Sequence, residues 1–103
     1  MKAISFFYNW NNKLDCKAFT TLRLSSNYEI GDKLEIILKK EPKGHGEIVD
    51  IKKLKLSDIN EWVARIDTGY SQKECQDILI KMYKNKNVDW DTQIIYLILI
   101  RKI

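Results

Sequence analysis

The run at residues 94–100, Ile-Ile-Tyr-Leu-Ile-Leu-Ile, constrains this chain more than any other segment. A helix crossing a membrane needs about 20 apolar residues, and this run is far shorter, so it reads as a strand and not an anchor. Both of its alternating faces are apolar. A strand of that kind is stable only when it is covered on both sides, which requires a layer of structure against each face. A strand is predicted over residues 93–101.

The rest of the chain offers those layers. Residues 3–7 make a short first strand, followed by the polar, Asn-rich connection YNWNNKLD. Residues 18–24 alternate, with Ala18, Thr20, Leu22 and Leu24 on one face and Phe19, Thr21 and Arg23 on the other. Gly31 and Asp32 supply a turn before a third strand at residues 33–39, and residues 39–46 read as a basic loop. A fourth strand spans residues 47–56, where a bulge near Lys52 and Lys53 brings Val49, Ile51, Leu54 and Leu56 to the same side.

Two helices follow. Ser57 caps one whose stripe is Ile59, Trp62, Val63 and Ile66. Ser71 and Glu74 form a capping box for the second, with Cys75, Ile78, Leu79 and Met82 as its apolar stripe. Strands, then helices, then a strand is an α+β order. With 103 residues, 45% of them hydrophobic, the chain suffices for one shared core, so residues 1–103 are expected to form a single domain.

Lys and Arg exceed Asp and Glu, for a net charge of +4, and the whole excess lies in residues 1–56. An anionic partner suits that balance. Cys16 and Cys75 stand far apart without a CxxC spacing, and the apolar patch in MKAISFFYNWNNK is too short for a signal peptide, so a reduced, cytoplasmic protein without a membrane segment is expected. His45 is the one histidine and has no second ligand near it in sequence. No metal and no cofactor is expected, and Gly44-His-Gly46 lacks the spacing of a phosphate loop.

The constellation with chemical content is Lys17, Phe19, Thr21 and Arg23 on one strand face, preceded by Trp10, Asn11, Asn12 and Lys13. Cations, hydroxyls and aromatic rings at that density suit single-stranded nucleic acid, where Lys and Arg meet phosphate and rings stack on bases. The competing reading places Phe19 under a helix and leaves Lys17 and Arg23 as solvated edge residues. Asp67, Thr68 and Tyr70 close the loop between the helices, where they either cap helices or line a pocket.

FTTLRL at residues 19–24, then Tyr28-x-Ile-Gly-Asp-Lys33, Gly46-Glu-Ile-Val-Asp-Ile51 and Asp67-Thr-Gly-Tyr-Ser71 before a helix ending Lys-Met-Tyr83, together resemble an ASCH domain of the PUA-like superfamily. The resemblance implies a small, bent, mixed β-barrel with helices packed on it and a cleft beside the T-x-R strand for RNA or a nucleotide. Some similar proteins are metal-free amidohydrolases that deacetylate N4-acetylcytidine with a Lys, a Thr and a Glu, and Asp67 and Glu74 are the acids nearest that Glu here. Their K-x-x-T-x-R run matches Thr21 and Arg23 here but meets Ala18 at the lysine position, with Lys17 one residue away.

The leading expectation is a module that binds RNA or a modified nucleotide through Lys13, Lys17, Thr20, Thr21 and Arg23, with Trp10 and Tyr70 for stacking. The alternative is the amidohydrolase, with Lys17, Thr21, Asp67 and Glu74 as catalytic candidates. A third is a small regulatory domain that binds an acidic protein partner. Since the lysine is displaced by one position, little or no deacetylation is expected.

Overall fold

The structure, a computed structural model, describes residues 2–103. Five strands form one mixed sheet in the order β1-β3-β4-β5-β2. They are β1 (Lys2–Phe6), β2 (Ala18–Arg23), β3 (Lys33–Leu38), β4 (Glu41–Leu54) and β5 (Ile95–Lys102). β1 runs parallel to β3, and the other pairings are antiparallel. Helices α1 (Glu61–Asp67) and α2 (Gln72–Met82) follow β4, and 3₁₀ segments cover Trp10–Asp15 and Leu56–Asp58.

β5 takes the position its two apolar faces demand, between β4 and β2. Ile98 and Ile100 join Phe6, Leu14, Phe19, Leu34 and Ile36 in one buried cluster, while Ile95, of opposite parity, joins Leu22, Ile59, Ala64, Cys75 and Leu79 in a second one at the helices. The edge strands β1 and β2 approach each other without pairing. The Phe6 and Phe19 rings meet edge to face at 5.9 Å, and Arg23 Nη2 donates to the Ser5 carbonyl at 2.6 Å. No ladder joins β1 to β2 among the described residues, so strand pairing does not close the expected barrel.

The basic loop expected at residues 39–46 is mostly strand. A two-residue turn at Lys39 and Lys40, with φ of 50° and 71°, joins β3 to β4. Positive φ at both central residues is the hairpin turn whose twist suits its strands, and Asn-Gly is its usual sequence signal. Here the turn is held by Lys39 N–H, which donates to the Phe6 carbonyl at 2.9 Å. The bulge in β4 falls between Ile48 and Asp50 rather than near Lys52 and Lys53. It leaves Val49 exposed and puts Ile48 and Ile51 in the same cluster.

α1 begins at Asn60, whose side chain accepts from Val63 N–H, and not at Ser57. Ile59, fully buried just before that cap, orients the short helix so that Ala64 and Asp67 turn inward. Trp62 is consequently 79% exposed and Ile66 is also exposed, against the expected stripe. α2 starts at the expected capping box: Ser71 accepts from Glu74 N–H, and the Glu74 carboxylate accepts from Ser71 N–H, both at 3.2 Å. Cys75 and Leu79 are buried beneath it, whereas Met82 is exposed.

Candidate functional site

A cavity of about 670 Å³ opens between the ends of β1 and β2 and the inner face of α2. Lys13, Thr21, Arg23, Asp67 and Thr68 give it polar groups, and Phe6, Leu22 and Leu79 give it apolar walls. Phe7, Tyr8, Trp10 and Tyr83 add aromatic rings to the lining.

Lys13 and Asp67 are brought together by two segments with positive φ. Asn11 and Asn12 adopt φ of 56° and 53°, a region that asparagine tolerates because its short side chain bonds locally. The chain then returns to bury Leu14, whose N–H donates to Asn9 Oδ1 at 2.9 Å, and this directs Lys13 into the cavity. Opposite, Gly69 ends α1 at φ of 81°, and a Cβ there would lie 3.0 Å from Asn11. That close approach docks the end of α1 on the 3₁₀ segment.

Lys13 Nζ donates to Asp67 Oδ1 at 3.1 Å, and Thr20 Oγ1 donates to the same oxygen at 2.9 Å. Each of the two charged side chains is only 6% exposed. Burial pulls the Lys13 ammonium below the ordinary lysine value, Arg23 acts in the same direction, and Asp67 opposes them. An aspartate in the last turn of a helix is electrostatically unfavourable for that helix. Its presence there serves the cavity better than it serves α1.

Arg23 is half-buried. Its Nε donates to Thr21 Oγ1 at 3.2 Å, and the guanidinium lies 4.9 Å from the centre of the Phe6 ring, which also faces Lys13 Nζ at 5.7 Å. Burial lowers the pKa of Arg23 as well, and burial raises that of the Cys75 thiol, which also lines the cavity. Cys75 is almost fully buried and forms part of the cavity wall, and its raised pKa favours the neutral thiol.

Of the residues singled out from sequence, Trp10, Lys13, Thr21, Arg23 and Asp67 line this one cavity. Thr20 reaches it through Asp67, and Tyr70 rests against Trp10 with ring centres 5.8 Å apart. Lys17 does not line it: it is exposed ahead of β2, where its carbonyl accepts from Lys102 N–H. Glu74 is likewise outside, committed to capping α2. Nor does the whole odd-numbered face of β2 form the cleft, because Phe19 is core and only Thr21 and Arg23 open into the cavity.

The lysine facing the acid is therefore Lys13, 54 residues away in sequence. Lys39, from the segment read as a basic loop, also belongs to the lining; so do Phe6, Tyr8 and Tyr83, which were not expected there, the aromatic density of FFYNW being the one available signal for the first two. Among the described residues, no group of three or more His, Cys, Asp or Glu side chains could hold a metal ion. No helix among them is long and apolar enough to cross a membrane.

The chain matches no protein-family profile, no curated protein and no solved structure.

Proposed function

We propose that this chain is an ASCH-like module that receives one nucleobase of RNA, or a modified nucleotide, in the cavity. The observation that carries this reading is the buried Lys13–Asp67 pair inside a cavity with aromatic lining. A base edge presents hydrogen-bond donors and acceptors side by side; Asp67 accepts, Lys13, Thr21 and Arg23 donate, and the rings offer stacking surface. A volume of about 670 Å³ lies within the usual range for small-ligand sites. In this reading the curl of the sheet corresponds to a PUA-like barrel completed by the Arg23 side chain in place of a β1–β2 ladder.

Quenching of tryptophan fluorescence by cytidine, uridine and N4-acetylcytidine tests the reading, since Trp10 lines the cavity. One of the three is expected to bind, and Asp67→Asn should weaken it on the order of tenfold or more, as expected when a buried polar contact is lost. Absence of binding by all three, together with binding of an acidic peptide, would favour a protein partner.

One observation favours a second reading, the metal-free amidohydrolase. Lys13 approaches Asp67 from the 3₁₀ segment, so a lysine, an acid and two threonines are gathered although β2 carries Ala18 at the lysine position of the resembling pattern. Lys13 and Asp67 would then take a proton from the water that attacks the acetyl carbonyl and return it to the departing N4 nitrogen as the C–N bond breaks, releasing acetate and cytidine, while Thr21 orients the carbonyl. Release of cytidine from N4-acetylcytidine by the wild type, abolished in Lys13→Ala and retained in Lys17→Ala, is the result that would establish it.

A further inference from the structure

The cavity lining includes two tyrosines that each carry a lysine. Lys39 Nζ lies 6.0 Å from the ring centre of Tyr8, and Lys86 Nζ lies 5.7 Å from that of Tyr83. Tyr8 follows β1 and Tyr83 ends α2, so the two pairs belong to different elements of the lining. Both lysines are exposed, and what sets them apart from the other surface cations is that each lies over a tyrosine ring of the cavity lining. Tyr8 also contacts Trp10 with ring centres 5.1 Å apart, and Phe7 beside it is almost fully exposed.

A free nucleoside would use the buried polar groups and one stacking ring, and would leave both lysines idle. We infer that the ligand is a single-stranded stretch of RNA, with one base in the cavity, flanking phosphates at Lys39 and Lys86, and a neighbouring base against Tyr8 and Trp10. This rests on the nucleobase reading above and extends it from one base to a strand. Exposed ammonium groups beside aromatic faces are the combination that tracks a single strand, the cations neutralising phosphate and the rings accepting bases of any sequence. A duplex does not fit, because its bases are paired and stacked and none can enter the cavity without being extruded.

The experiment compares cytidine with a fluorescein-labelled oligocytidylate of about eight nucleotides, a length within the footprint of single-strand binding modules. Oligocytidylate should bind on the order of tenfold to a hundredfold more tightly, the gain from a stacked base and two phosphate contacts. Its log affinity should fall linearly with log salt, and Lys86→Ala should reduce the slope by about 0.7 while cytidine affinity stays the same. Lys39→Ala should reduce the slope by a similar step. Equal affinity for cytidine and oligocytidylate, both lost in Asp67→Asn, would overturn the strand and leave the base pocket standing. Tight oligocytidylate binding whose slope ignores both lysines would place the strand elsewhere. If neither probe binds, and uridine and N4-acetylcytidine do not bind either, the base pocket falls as well, and direct binding of fluorescein-labelled oligoglutamate would assign the lysines to an acidic protein.

Discussion

At the scale of single residues, the buried pair is the feature that stability alone does not explain. Two charges that are each 6% exposed lose hydration that their mutual attraction only partly restores. Replacing both with apolar side chains of similar size, as in Lys13→Met with Asp67→Leu, should leave stability unchanged or raise it by about 1–4 kcal/mol while abolishing ligand binding. Asp67→Ala alone leaves the lysine unpaired and should cost about 3–5 kcal/mol. Urea denaturation of the two variants checks the pattern; a double variant as unstable as the single one would make the pair structural.

The pH dependence has a definite sign. Lys13 is held below its ordinary value by burial, so between its folded and its unfolded pKa the unfolded chain binds more protons, and stability rises with pH. That stability is lost as pH falls through the folded pKa. The wild type should therefore gain on Lys13→Met in thermal melts as pH is raised toward about 10, the unfolded lysine range. A difference that shrinks over that interval would mean that Asp67 outweighs burial.

At the scale of elements, local chemistry and imposed geometry separate cleanly. The α2 capping box is complete within four residues, so Ser71→Ala should cost about 1 kcal/mol, and Glu74→Ala should lower the melting temperature without altering ligand affinity. The β3–β4 turn is the opposite case, because Lys40 holds φ of 71° without being glycine. Lys40→Gly should raise stability by about 0.5–1 kcal/mol, since glycine adopts that conformation without steric cost. A calorimetric melt that shows no rise would mean that the lysine side chain contributes more than its backbone strain costs.

At the scale of the whole molecule, the edge of β1 is covered by side chains from the sheet's other edge strand and from the segment that follows it. Arg23 donates to the Ser5 carbonyl, and Tyr28 Oη donates to the Ala3 carbonyl at 2.8 Å. Arg23→Ala should consequently lose about 1.5–3 kcal/mol, the range for a hydrogen bond to a charged group, in addition to weakening ligand binding. The sequence pattern alone suggests a solvated arginine with little effect on stability. Leu22→Ala, a core truncation under the helices, should cost about 2–5 kcal/mol. Arg23→Ala combined with Tyr28→Phe uncovers β1 and should also promote self-association in size-exclusion chromatography, as bare strand edges do.

What the sequence determined by itself was local or two-sided. The α2 cap, the central place of β5 and the α+β order were legible because a capping box and a doubly apolar strand each specify their surroundings within a few residues. That Thr21 and Arg23 share one face of β2 was legible because strand alternation gives side-chain direction. The Lys39–Lys40 turn was not, since its positive φ angles are imposed by pairing across the sheet and not by residue preference. The exposure of Trp62 was set by the burial of Ile59 and by the way α1 docks, which no helical period contains. The meeting of Lys13 with Asp67 was decided by tertiary structure alone: left-handed asparagines, a positive-φ glycine packed closely against Asn11 and a buried Leu14 position two side chains whose separation in sequence carries no trace of their contact.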